Sequence, residues 1–227
     1  MSIIKIENLH KIYNKTAVPV HAVRGIDLAF EEGEFTAIVG PSGCGKTTFL
    51  NMVGGLDQPS EGKVIIGGKD ISKLSSKKLI DYRLQNIGFV FQSYNLIPVL
   101  TAGENIAFIM ELQGKSKKER TERAKELLDQ VGIGDKFDIR PGQLSGGQQQ
   151  RVAVARALAS TPKFILADEP TANLDSKATS DLLDMMSEMN KKHNITFIFS
   201  SHDQRVIDRA RRLITLTDGK VTEDITR

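Results

Sequence analysis

Between residues 40 and 47 the chain reads Gly40-Pro41-Ser42-Gly43-Cys44-Gly45-Lys46-Thr47: a glycine, four residues, then Gly-Lys-Thr. This P-loop spacing constrains the fold more than any other stretch, because its chemistry needs a strand before it and a helix after it. The flanks supply both. Phe35-Thr36-Ala37-Ile38-Val39 reads as a short buried strand, and Phe49, Leu50, Val53 and Leu56 fall on one face of a helix. The glycines let backbone N–H groups converge on a phosphate chain without obstruction from Cβ atoms. The helix that follows turns its unpaired donors and partial positive charge to the same anion. Lys46 is then placed to reach the β- and γ-phosphates of a nucleotide, and Thr47 to offer its hydroxyl to Mg²⁺. A glycine-rich turn with a chance lysine would account for neither flank.

The 227 residues suffice for one large α/β domain or two small ones. With 31 basic and 28 acidic residues the net charge is +3, too balanced to argue for nucleic acid or an anionic membrane surface. The single cysteine, Cys44, excludes an internal disulfide framework and a multi-cysteine metal site, and its place in the P-loop points to a reduced compartment. Met1-Ser2-Ile3-Ile4-Lys5 lacks the charged-then-apolar layout of a signal peptide. Residues 84–103 carry no charge and could span a bilayer by length. Gln85, Asn86, Gln92, Ser93, Asn95, Pro98 and Thr101 break that stretch, so no transmembrane helix is expected.

Along the chain, residues 3–9 alternate apolar and charged as a half-exposed strand would, with Tyr13 at its end. Tyr13 either packs at a sheet edge or offers its ring to an adenine, and stacking there would contribute about 1 kcal/mol. Residues 14–20 read as a loop or hairpin, residues 20–30 as a second strand, and Lys63-Val64-Ile65-Ile66 as a third, closed by Gly67-Gly68. Ile87-Gly88-Phe89-Val90-Phe91 reads as a buried strand ending in Gln92, where α/β folds place ligand contacts, although a solvated loop residue fits the position too. Helical periodicity takes over from about 101 to 158. Ser116 and Glu119 form a capping box ahead of the stripe Ala124, Leu127, Leu128 and Val131, which Gly132 ends. The lysines and arginines of this stretch alternate with Glu119, Glu122 and Glu126, as on a solvated helix face.

Leu144-Ser145-Gly146-Gly147-Gln148 opens the next helix with a second capping box and a second anion-accepting start. Phe164-Ile165-Leu166-Ala167 then leads into Asp168-Glu169. After a P-loop, such an acidic pair can orient a Mg²⁺ shell (Asp168) and polarise a water for in-line attack (Glu169). Residues 176–192 read as a helix burying Leu182, Met185, Met186 and Met189, and residues 195–199 as a buried strand before Ser200-Ser201-His202-Asp203. Asp218-Gly219 marks a final hairpin.

Taken together in this order, the motifs resemble the nucleotide-binding subunit of an ATP-binding cassette (ABC) transporter over residues 2–224. The resemblance implies a P-loop NTPase with a RecA-like α/β core, an antiparallel β-subdomain and an inserted α-helical subdomain. Residues 1–92 and 159–227 would form the core with its β-subdomain, and 93–158 the helical subdomain. It also implies ATP and Mg²⁺ as cofactors. Tyr13 would stack on adenine, residues Gly40 to Thr48 (Thr48 included) would hold the phosphates, and Gln92 would touch Mg²⁺ with Thr47 and Asp168. Glu169, His202 and Lys46 would be catalytic. Asn173-Leu174-Asp175 matches the family's D-loop, and Leu144 to Gln148 its signature. Cys44 and Thr47 stand where many relatives have serines.

The long loop after Tyr13, Gly54-Gly55-Leu56-Asp57, Asn95-Leu96-Ile97-Pro98 and Gln148-Gln149-Gln150-Arg151 look like the branch of lipoprotein-release, macrolide-export and cell-division ATPases. Implied partners are an ABC permease and a second copy of the chain, not nucleic acid. The implied place is the cytoplasmic face of the membrane, held there by the permease. Residues 93–104, with Tyr94, Leu96, Ile97 and Leu100 exposed, would receive the permease's cytoplasmic helix. Two rivals are a regulatory ATPase driving a cell-wall hydrolase through a membrane partner and a soluble ABC ATPase of repair or translation. The latter usually carries long coiled-coil insertions or two cassettes, and neither is visible in this sequence.

Overall fold

A computed structural model describes residues 2–14 and 18–227. Two long antiparallel strands come first, β1 (Ser2–Tyr13) and β2 (Val20–Glu31). Of the loop expected over 14–20, residues 15–17 lie outside the described part. β3 (Phe35–Val39) runs into the P-loop and α1 (Lys46–Val53). Gly54 caps that helix and Gly55 follows at a φ of 64°, so Leu56 falls beyond the helix and is exposed. Its spacing predicted a buried helical position, but two glycines end the helix first. β4 (Glu61–Ile66) and β5 (Lys69–Asp70) form the hairpin expected at Gly67-Gly68.

α2 (Ser76–Asn86) escaped the sequence reading because it buries one residue, Leu79, and so has no apolar stripe to read. β6 (Ile87–Val90) stops two residues short of Gln92, which therefore sits in the loop after the strand rather than at its end. Three helices follow: α3 (Ala102–Leu112), α4 (Lys117–Gln130) and α5 (Gly146–Ala159). Each starts with a complete capping box, Thr101 with Glu104, Ser116 with Glu119 and Ser145 with Gln148. On α4, Arg123 pairs with Glu126 at 2.7 Å and Arg120 with Glu111 at 3.3 Å, as a solvated face would. The chain ends with β7 (Phe164–Asp168), α6 (Ser176–His193), β8 (Thr196–Ser200), the short α7 (Gln204–Arg209), β9 (Arg212–Thr217) and β10 (Lys220–Thr226).

The strands build two sheets: an antiparallel one ordered β2-β1-β4-β5 and a six-stranded one ordered β10-β9-β3-β8-β7-β6. In the larger sheet only the edge strand β10 is antiparallel. Alternation along its central strands sends side chains to two opposite cores. Phe35, Ala37, Ile165, Ala167, Phe197 and Phe199 join α3, α4, α5 and α6 on one face. Ile38, Phe164, Leu166 and Ile198 face α1 and the antiparallel sheet on the other. A parallel sheet covered on both faces, with the phosphate-binding turn at the end of β3, is the α/β P-loop NTPase fold. No helix among the described residues is long and apolar enough to cross a membrane.

One buried amide locks the end of the sheet remote from the P-loop. The Asn190 Nδ2 of α6 donates to the carbonyls of Gly33 (2.9 Å) and Ile195 (2.6 Å), and its Oδ1 accepts from Arg211 at 2.6 Å. Asn190→Leu keeps the volume but strips those partners, and unfolding in urea should show a loss of about 3 kcal/mol. A loss under about 0.5 kcal/mol, the range of a neutral surface change, would mean that the amide is not structural.

Candidate functional site

The P-loop is bent by contacts that only glycine permits. Gly40 has a φ of 147°, and a Cβ there would come within 2.1 Å of the Leu216 carbonyl oxygen on β9. Gly45, at a φ of 104°, is the N-cap of α1, and no side chain caps that helix. The first N–H groups of α1 are thus left for an anion. The Lys46 ammonium folds back onto the loop, donating to the carbonyls of Gly40 (2.8 Å) and Pro41 (3.1 Å). Cys44 is buried, with its Sγ 3.9 Å from the Lys46 Nζ.

The loop forms one wall of a cavity of about 830 Å³. Around it the structure gathers Tyr13, Gly40, Pro41, Ser42, Gly43, Gly45, Lys46, Thr47, Thr48, Gln92, Glu169 and His202. The Asp168 carboxylate accepts from the Thr47 hydroxyl at 3.1 Å and also from the Ser200 hydroxyl. Glu169 has a φ of 47°, a conformation uncommon for glutamate, and its N–H is held by both the Ser200 carbonyl and Oγ at 3.1 Å. The His202 Nδ1 lies 2.9 Å from the Glu169 Oε1. No local pattern in the sequence marks Ser200; only the register of the parallel pair β7–β8 sets it directly opposite Asp168. No group of three or more His, Cys, Asp or Glu among the described residues could hold a metal by itself.

Tyr13 reaches the cavity from the end of β1 and donates its hydroxyl to Asp57 at 2.8 Å. Burial, together with that carboxylate, pushes the phenol above its ordinary value. Burial opposes ionisation of Asp57 too, but hydrogen bonds from Lys11 and Tyr13 outweigh it and hold the carboxyl below the usual range.

Cys44, buried behind the loop, and Asp168, bonded to Thr47, do not line the cavity, and two further groups of predicted residues lie outside it as well. Ser145, Gly146, Gly147 and Gln148 form the start of α5 and do not line it. Asp175 is the N-cap of α6, accepting from the Ala178 N–H at 2.8 Å. The loop after Gln92 lies against the start of α5 and against the segment before α6. The Asn173 amide donates to the Gln92 carbonyl at 2.9 Å, and a Cβ on Gly146 would meet the Tyr94 hydroxyl at 2.9 Å.

Tyr94 and Asn95 are both left-handed, with φ values of 56° and 51°. Arg156 of α5 donates to both their carbonyls, at 2.8 Å for Tyr94. Burial lowers the pKa of this guanidinium from its ordinary value. Tyr94, Leu96, Ile97 and Leu100 are half-buried rather than exposed, and Leu96 packs against the larger core. The exposed apolar residue of that loop is Val99. Arg156→Ala removes two charge-assisted hydrogen bonds, worth about 1.5–3 kcal/mol each. Amide exchange across residues 93–97 is expected to speed up at least tenfold; unchanged exchange would show the loop to be held by other contacts.

Residues 23–172 match the family model described as ABC transporter. The lipoprotein-releasing system ATP-binding protein LolD of Legionella pneumophila is 42% identical over 219 residues, covering 96% of each chain. The macrolide export ATP-binding/permease protein MacB of Rhodopirellula baltica is 42% identical over 224 residues, which are 98% of this chain and 33% of that longer one. A solved dimeric structure of the ATP-binding cassette MJ0796, bound to ADP and Pi, superposes with a TM-score of 0.91 at 40% identity, covering 98% of both chains. By fold, motifs and these relatives, the chain belongs to the ABC transporter family as one of its ATP-binding, ATP-hydrolysing subunits.

Proposed function

We propose that two copies of this chain close head to tail over two ATP molecules, and that hydrolysis at these joint sites drives a permease. The observation that carries the reading is the division of the motifs. One chain gathers Tyr13, the P-loop, Gln92, Glu169 and His202 around one cavity, while Ser145 to Gln148 lies outside it. Each chain is thus half of two sites, and Asp175 with the start of α5 would meet the nucleotide of the opposing chain. The dimer reported for the MJ0796 cassette supports this arrangement.

Within the cavity, Lys46 would exchange the Gly40 and Pro41 carbonyls for phosphate oxygens. Thr47 and Asp168 present hard oxygen donors 3.1 Å apart, a pair suited to Mg²⁺, which takes few protein ligands and keeps several waters. Gln92 faces the same cavity and would complete the protein's share of that shell. When bound, Mg²⁺ would neutralise charge on the β- and γ-phosphates. Glu169 would accept the proton of the attacking water, oriented by His202 at its Oε1.

The permease would seat a cytoplasmic helix in an apolar groove of about 390 Å³ beside the loop after Gln92. Leu56, Ile80 and Phe108 line this groove and are exposed. The subunit would then sit peripherally on the cytoplasmic face of the membrane. Likeness to LolD and MacB supports a permease of the lipoprotein-release or macrolide-export kind.

Glu169→Gln keeps the shape of the side chain but not its basicity, so hydrolysis should slow at least about a hundredfold while ATP still binds. Size exclusion of this variant should then show an ATP-dependent shift from monomer to dimer, abolished by adding Ser145→Arg. A dimer that forms without ATP, or that survives Ser145→Arg, would refute the composite site. Ile80→Asp and Phe108→Asp should weaken co-purification with the permease at least tenfold while leaving basal ATPase activity within twofold. Undiminished co-purification would place the docking surface elsewhere.

A further inference from the structure

The Asp57 carboxylate lies just beyond the P-loop helix and uses both of its oxygens. Its Oδ2 accepts from the Tyr13 hydroxyl at 2.8 Å. Its Oδ1 accepts from the Lys11 ammonium at 2.6 Å and from the Gln58 N–H at 2.8 Å. Lys11 donates in addition to the Gln58 carbonyl at 2.7 Å, and its Nζ sits 4.9 Å from the centre of the Tyr13 ring. The turn bearing Asp57 is itself fixed to α1, because the N–H groups of Leu56 and Asp57 both donate to the Asn51 carbonyl, at 2.8 and 3.1 Å. Through Asp57, the last residue of β1 is fastened to the end of the helix whose first turn faces the phosphates.

This arrangement matters for the ring. Tyr13 is the final residue of β1, where pairing with Val20 of β2 holds its backbone but leaves its side chain partly exposed. Left to itself, a partly exposed tyrosine at such a position would sample several rotamers. The hydroxyl bond fixes the far end of the ring, and the Lys11 ammonium takes one of its faces. A planar partner entering from the cavity meets a single preset face at a set distance from the P-loop.

We propose that Asp57 is the positioning residue of the base site, holding the Tyr13 ring as a preset platform for the purine of the bound nucleotide. The inference rests on the reading of Tyr13 as the base platform. It adds that the platform is fixed by a side chain that touches no nucleotide. Pre-organisation of this kind strengthens binding by removing the ordering cost at the moment of association. Its effect is confined to ligands that carry a base, which a general weakening of the fold would not be.

The test compares the affinities of ATP and of inorganic tripolyphosphate, both with Mg²⁺, in the full chain. Asp57→Ala is expected to weaken ATP three- to tenfold and to leave tripolyphosphate within 1.5-fold. The KM for ATP should rise by the same factor, with kcat within twofold. Asp57→Asn retains an oxygen acceptor for the hydroxyl and should restore most of the affinity. Tyr13→Phe keeps the ring but loses the bond; it should match Asp57→Ala, and the double variant should be no weaker than either single one. Equal weakening of both ligands by Asp57→Ala, or additive losses in the double variant, would overturn the proposal. Should Asp57→Ala fail to fold, Tyr13→Phe carries the same comparison alone, and an unchanged ATP affinity there would overturn it. Tyr13→Ala separates the two layers: no loss of ATP affinity refutes the base platform itself. A loss with Tyr13→Ala but none with Asp57→Ala refutes only the role of Asp57.

Discussion

In the six-stranded sheet Ile38 of β3 stands beside Ser200 of β8, and Ser200 stands beside Asp168 of β7. That register brings the ends of three parallel strands to one level, and the P-loop, the acidic pair and His202 all leave the sheet there. It is enforced from both faces. A slip of one residue would turn Phe197 and Phe199 out of one core and Ile198 out of the other. The same slip would part the Asp168 carboxylate from Ser200 and Thr47. Packing and site geometry are therefore specified by the same pairing, although the residues that pack and the residues that bind are different ones.

In and beside the cavity, as at Asn8, Thr161, Asn194 and Asp218 elsewhere, the backbone departs from relaxed geometry. Glu169, Tyr94 and Asn95 all adopt left-handed conformations without being glycine, each at a cost of about 1–3 kcal/mol. Specific bonds offset the departures at these three residues. Ser200 grips the Glu169 N–H with its carbonyl and its hydroxyl, and the Arg156 guanidinium spans the carbonyls of Tyr94 and Asn95. Arg156 belongs to the helix that Ser145 caps, so the loop after Gln92 is physically joined to the start that the opposing chain would meet. Gln92 lines the cavity, and Asn95 and Ile97 line the apolar groove with Ile80 and Phe108, so one short segment of chain borders both.

Much of this was legible in the sequence, because local rules carry it. Spacing alone determined the P-loop with its strand and helix. Continuous apolar runs marked β7 and β8 as buried strands, periodicity marked the buried face of α6, and capping boxes set the starts of α4 and α5. The acidic pair after a buried strand followed from the same reasoning. These features depend on neighbours within a few residues, which a linear text preserves. The local rules failed where no periodic stripe existed, as in α2, and where a glycine pair cut the pattern short, as at Leu56.

Only the tertiary structure decided which distant residues meet. Ser200 reads as one more residue at the end of a strand until parallel pairing sets it against Asp168, 32 positions away. Asp57 reads as a turn residue until the two sheets fold over α1 and bring it to Tyr13, 44 positions earlier. Arg156 reads as a charged face of a helix until burial aims it at the loop after Gln92. The physical reason is the same in each case. A hydrogen bond between side chains far apart in sequence leaves no spacing to detect, since its geometry is set by how elements stack and not by how they are ordered. What the sequence by itself determined was the chemistry at each strand end; what the fold decided was which of those ends face one another.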